Sequence, residues 1–104
     1  SIMSLTQEQK KQFKSIGHHL KPIVTIADNG LTESVLAELD RALNDHELIK
    51  IQLRAERDDR TALIEQLCAQ SSSLLVQSIG KVALIYRKNP QPNKNLSNIL
   101  RYNS

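Results

Sequence analysis

The spacing of apolar residues changes several times along the chain, and each change marks an element. Phe13, Ile16 and Leu20 recur at helical spacing behind Thr6 and Gln9, which stand three apart as a capping box does, so a helix is expected over 7–19. Gly17 weakens its last turn, and Pro22 ends it by disfavouring helical geometry at Lys21. Ile23, Val24, Thr25 and Ile26 form a β-branched run suited to a buried strand. Ala27-Asp28-Asn29-Gly30 is a tight connection in which Asn29 and Gly30 can take positive φ. Thr32 can cap a second helix, with Glu33 well placed in its first turn and Val35, Leu36, Leu39 and Leu43 on one stripe, ending near Asn44.

The period then falls to two. Over 48–54, Ile49, Ile51 and Leu53 alternate with Lys50, Gln52 and Arg54, which predicts a strand with one core face and one wet, basic face. Asp58 or Asp59 can cap a third helix whose apolar side is Leu63, Ile64, Leu67 and Cys68, closed by Ser71, Ser72 and Ser73. Two strands over 74–79 and 82–86 are separated by Gly80-Lys81, a spacing that suits a hairpin and makes them antiparallel neighbours. From Asn89 onward the chain is Asn, Pro, Gln and Lys with little but Leu96, Ile99 and Leu100 to bury, so 89–104 reads as a flexible basic tail, with at most one helical turn. The order α-β-α-β-α-β-β places the chain in the α/β (α+β) class. It predicts a compact single domain over 1–88, a four-stranded mixed sheet with helices packed on it and one face at least partly open.

Composition fits one core and little else. The chain has 104 residues, 39% of them hydrophobic and 24% charged, which is too apolar for a disordered protein and too short for two domains. No apolar run reaches the roughly 18 residues that cross a bilayer, and 1–12 lacks the apolar stretch of a secretory signal, so a cytoplasmic protein without a membrane partner is expected. Charge is uneven: 1–22 carries four lysines against one acid, 23–79 five cations against ten acids, and 80–104 five cations and no acid. Basic ends that meet in space would attract a polyanion; basic ends that do not meet would only aid solubility.

Candidate chemistry is sparse. His18 and His19 are adjacent on a helix and point about 100° apart, which makes a poor metal pair. One cysteine, Cys68, sits on an apolar stripe as a small hydrophobe. Neither carboxylates nor nucleophiles form a specified site, so the expectation is no enzyme, no cofactor, no metal and no small-molecule substrate. The turn before Thr32 is more informative, because a tight turn entering a helix offers free backbone N–H groups to a phosphate, although any such turn can need a glycine. Lys50, Arg54 and Arg87 would add phosphate contacts if they share a surface.

Several stretches resemble one family when read in order: Leu5-Thr6, His18-His19-Leu20-Lys21-Pro22-Ile23-Val24, Gly30-Leu31-Thr32-Glu33, Leu43 with His46-Glu47-Leu48-Ile49-Lys50, Val76-Gln77-Ser78-Ile79-Gly80, and Leu84-Ile85-Tyr86-Arg87. Together they resemble a bacterial YhbY-type protein, a stand-alone CRM domain (chloroplast RNA splicing and ribosome maturation). The resemblance implies a fold like the C-terminal domain of translation initiation factor three. It also implies an RNA-binding module associated with precursors of the large ribosomal subunit. The candidate RNA-binding site joins His18 and Lys21, which the resemblance supplies, to Asn29, Gly30 and Thr32 at the turn and helix start and to the basic side chains Lys14, Lys50, Arg54, Lys81 and Arg87. In that family the turn after the first strand commonly reads Gly-Lys-x-Gly, similar to the phosphate-facing loop of KH domains. Here Ala27 and Asp28 stand at its first two places, so a cation is lost and an anion gained, which weakens an exposed phosphate site by on the order of 1 kcal/mol. With Phe13, Tyr86 and Tyr102 as its aromatics, the chain has little equipment to stack unpaired bases, so shape should count for more than sequence. The rival reading is a protein-interaction module that docks on a ribosomal protein or assembly factor.

Overall fold

Thr6 and Gln9 cap the first helix reciprocally: Thr6 Oγ1 accepts from the Gln9 N–H at 3.1 Å, and Gln9 Oε1 accepts from the Thr6 N–H at 3.0 Å. The computed structural model describes residues 5–27 and 30–102. Its elements are α1 (Gln7–Gly17), β1 (Pro22–Ile26), α2 (Glu33–His46), β2 (Leu48–Leu53), α3 (Arg57–Ser71), β3 (Leu74–Ile79), β4 (Val82–Tyr86) and α4 (Asn98–Tyr102). Thr32 caps α2 as expected, its hydroxyl accepting from the Val35 N–H at 3.2 Å. The third helix departs from expectation at its start. Glu56 is its N-cap and makes no side-chain cap bond, while Asp58 and Asp59 lie inside the first turn, where their charge interacts favourably with the positive end of the helix dipole.

The strands form one mixed sheet in the order β1-β2-β4-β3, with β1 parallel to β2 and the other two pairings antiparallel. On one face Val24, Ile26, Ile49, Ile51, Leu53, Ala83 and Ile85 pack against Leu39 and Leu43 of α2 and Ile64 and Leu67 of α3. The other face, expected to be at least partly open, is partly covered: α1 lays Phe13 and Ile16 on Leu48, Val76 and Leu84, and Leu48 is fully buried. Apolar residues on both sides of β2 are what a central strand between two layers needs, and the simple alternation hid this. The cover is incomplete: Thr25 and Ile79 are exposed and Lys50, Gln52, Gln77 and Val82 half-buried.

Gly17 sets how closely α1 can approach. A Cβ there would come within 2.6 Å of Leu84 Cδ2, so this buried side chain would have to shift to admit it. Gly17→Val is therefore expected to destabilise the fold by about 2–3 kcal/mol, through overpacking, as measured by denaturant unfolding. Gly17→Ala should cost less, because its better helix propensity offsets part of the clash.

The stretch expected to be a flexible tail is the largest departure. Its described part, 89–102, turns back over the end of the sheet, with Ser97 fully buried and Ile99 packed against the α1 cluster. Polar bonds hold it: Ser97 Oγ donates to Glu47 Oε1 at 2.6 Å, Asn98 Nδ2 to the Leu48 carbonyl at 2.6 Å, and the Asn89 N–H to Glu47 Oε2 at 2.9 Å. A hydrophobicity pattern cannot register an attachment made by hydrogen bonds.

Candidate nucleic-acid interface

Because β1 and β2 run parallel, the residues that precede them share one end of the sheet and those that follow them share the other. At the far end, Arg54 donates its N–H to the Ile26 carbonyl at 2.9 Å, which fixes it beside the turn that leaves β1. Gly30 closes that turn with a bond to the Ala27 carbonyl at 2.9 Å and a φ of 76°, the left-handed region glycine tolerates. Asp28 and Asn29 lie outside the described residues, so the proposed contact at Asn29 has no structural account. A groove of about 740 Å³ opens here, lined by Gly30, Arg54 and Lys81 together with Gln52, Glu56 and Asp59. Two cations face two acids, so this groove is close to neutral.

The near end is different. The C-terminal end of α1 brings His18 over the open strip of the sheet, where Gly17, Pro22, Lys50, Gln77, Ile79 and Val82 line a hollow without a carboxylate. Lys14 is exposed one turn before His18, on the same face of α1. On the other side of Lys50 a smaller notch is walled by His19, Lys21, Ile23, His46, Ile49 and Asn98, again without a carboxylate. Lys50 borders both, at the centre of a basic surface contributed by α1, β2 and the α2 terminus. The length of β1, five residues, puts this end roughly 15 Å from the turn.

Not every candidate joins it. Arg87 is turned inward: its guanidinium pairs with Asp40 at 2.9 Å, donates to the Asp40 and Ser71 carbonyls and to Asn44 Oδ1, and so clamps α2 and α3 to the end of β4. Its expected place among phosphate contacts gives way to a structural one, since both terminal nitrogens of the guanidinium are engaged within the protein. The Thr32 hydroxyl is engaged as a helix cap. Tyr86 lies against Phe13 with ring centroids 4.6 Å apart, and burial raises its pKa, with the Glu47 carboxylate adding to the rise. It is a core partner and offers no stacking platform. Burial also pushes the Cys68 thiol above its ordinary range, against a smaller lowering by Ser73, the opposite of an activated nucleophile. Among the described residues no three His, Cys, Asp or Glu gather as metal ligands, and no helix is long and apolar enough to cross a membrane. Sequence reasoning missed His19, His46, Gln52 and Gln77. The available signal was the parallel β1/α2/β2 unit, which returns the end of α2 to the start of β1.

The CRS1/YhbY (CRM) domain model matches residues 5–87. A probable RNA-binding protein of Pseudomonas aeruginosa is 77% identical over 101 residues, covering 96% of this chain and 97% of that protein. An RNA-binding protein of Haemophilus influenzae is 40% identical over 87 residues, covering 83% of this chain and 88% of its own. Among solved structures, the solution structure of a hypothetical protein from Staphylococcus aureus superposes with a TM-score of 0.75 at 35% identity, over 90% of this chain and 98% of that one.

Proposed function

This chain belongs to the CRS1/YhbY (CRM) domain family, and from that premise we propose that it binds structured RNA without catalysis, in the cytoplasm, as a factor on precursors of the large ribosomal subunit. The observation that carries the reading is the carboxylate-free basic surface around Lys50, with His18 and Lys21 beside it and Lys14 a turn away along α1. Phosphates of a folded RNA would sit on this surface, and the more neutral groove at Gly30, Arg54 and Lys81 would take a weaker contact further along the strand. The half-buried Gln77 and Gln52 amides, which line the two hollows, can meet 2′-hydroxyls, which suits recognition by shape.

Sequencing the RNA crosslinked to the protein in cells, alongside its sedimentation profile, tests the assignment. Precursor large-subunit RNA in the particle fractions is expected; recovery of protein contacts alone, with no RNA enriched, would favour docking on an assembly factor instead. A second expectation concerns the altered turn. Asp28→Lys should tighten RNA binding by on the order of tenfold and steepen its salt dependence, since an anion is exchanged for a cation at a phosphate contact. A flat response in a binding titration would remove the turn from the interface.

A further inference from the structure

We propose that the hollow beside the C-terminal end of α1 receives one unpaired nucleobase, so that this surface reads a base as well as a backbone; this rests on the RNA-binding reading above. The hydrogen-bond register across the sheet builds the hollow. Lys50 of β2 and Gln77 of β3 both stand opposite Leu84 of β4, so the three form one row with the leucine in the middle. Gln52, Val82 and Ile79 form the next row on the same face. Gly17 of α1 meets Leu84 without a side chain of its own. Buried Leu84 and half-buried Val82 floor a hollow of about 270 Å³, with Ile79, Pro22 and His18 exposed around it. That is below the roughly 300–1,000 Å³ of a site for a drug-sized molecule and fits one planar ring system.

A base is the occupant that matches both the apolar and the polar groups. Aliphatic and proline side chains can cover the faces of an extruded base where aromatic rings are absent. The side chains of His18, Lys50 and Gln77 have no hydrogen-bond or ion-pair partner among the described residues. Gln77 offers a carbonyl and an amide N–H side by side, the complement of a donor and acceptor pair on the Watson–Crick edge. Neighbouring strands stand roughly 4.8 Å apart, so the Gln77 and Lys50 backbones are separated by about twice that, with the aliphatic floor between them. One nucleotide spans this gap, its base edge at Gln77 and its phosphate at Lys50. The hollow is thus continuous with the basic surface, and the lack of a carboxylate in its lining disfavours a basic peptide. A base held in a duplex cannot reach the floor, so the RNA must present a bulged or looped nucleotide.

The test is fluorescence anisotropy with two labelled RNA hairpins that differ at a single bulged position, adenosine in one and an abasic site in the other. Both carry the same phosphates, so the difference isolates the base. The bulged adenosine is expected to bind about five- to tenfold more tightly. Gln77→Ala and Ile79→Ala should each cut that preference to about twofold or less, with affinity for the abasic hairpin nearly unchanged. In the unmodified protein, methyl resonances of Ile79 and Val82 should shift with the adenosine hairpin and stay still with the abasic one. Equal affinity for the two hairpins, or silent methyls at saturation, would overturn the base site and leave the phosphate surface standing. A preference that survives both substitutions would put the base elsewhere and overturn it too. Failure of either hairpin to bind would overturn the RNA-binding reading along with the base site.

Discussion

Replacing Lys50 and Arg54 together by glutamate is expected to lower RNA affinity by about a hundredfold or more while leaving the unfolding transition cooperative. Lys50 projects from β2, half-buried and bordering two hollows, and Arg54 directly follows the strand and is exposed. Each reversal removes a phosphate contact, worth about one unit of salt slope, and adds repulsion in its place. The two are not equivalent. Lys50→Glu should carry more of the loss, because it puts an anion into a surface that has none, whereas Arg54 already shares its groove with Glu56 and Asp59. Fluorescence anisotropy with a labelled RNA hairpin measures both singles and the double variant. Unchanged affinity in a folded double variant would exclude these residues from the interface.

The second large effect concerns stability. Glu47→Ala is expected to cost about 2–4 kcal/mol, because it strands a fully buried Ser97 hydroxyl and the Asn89 N–H and leaves the C-terminal segment without its main anchor. For a domain of this size that corresponds to a Tm lower by about 10 °C or more. Glu47 also holds a φ of 61°, which an L residue adopts at some cost, so Glu47→Gly should recover part of the loss by relieving the backbone. Limited proteolysis supplies the local readout: cleavage between 88 and 97 should accelerate in the alanine variant before the core becomes sensitive. A variant that melts with the native protein and resists cleavage equally would show that the segment is held without Glu47, by Ile99 packing and the bonds at Asn98 and Leu96.

Where the sequence was legible, local chemistry and global packing agreed. The Thr6/Gln9 box, the Thr32 cap and the Gly80-Lys81 hairpin each need only a few neighbouring residues, and each is found where the pattern placed it. The strand-helix alternation likewise carried the parallel β1/β2 pair and the mixed sheet. The layer formed by α1 was not legible, because Leu48 falls on the strand face that the alternation marks as polar and its burial depends on Phe13 and Ile16, more than thirty residues earlier. The C-terminal segment was missed for a different reason: Ser97, Asn98 and Asn89 look like solvated polar residues until Glu47 is placed opposite them.

The candidate site divides in the same way. The histidine and lysines near Pro22 could be read from the chain, and so could Lys50. Their convergence with His46 required the topology, since no periodicity links the end of α2 to the end of α1. Arg87 shows the converse. A cation in a basic, acid-free stretch of sequence finds Asp40 and two carbonyls in space, and its charge serves the fold.

The central claim is that cationic side chains clustered around Lys50 neutralise RNA phosphates. The most direct test is the affinity of the unmodified protein for a structured RNA as a function of potassium chloride concentration. Neutralisation of three or four phosphates predicts a linear fall of log affinity with log salt, of slope about −3 to −4. A slope near zero over the same range would contradict the account, because it would mean that whatever holds the RNA releases no counterions.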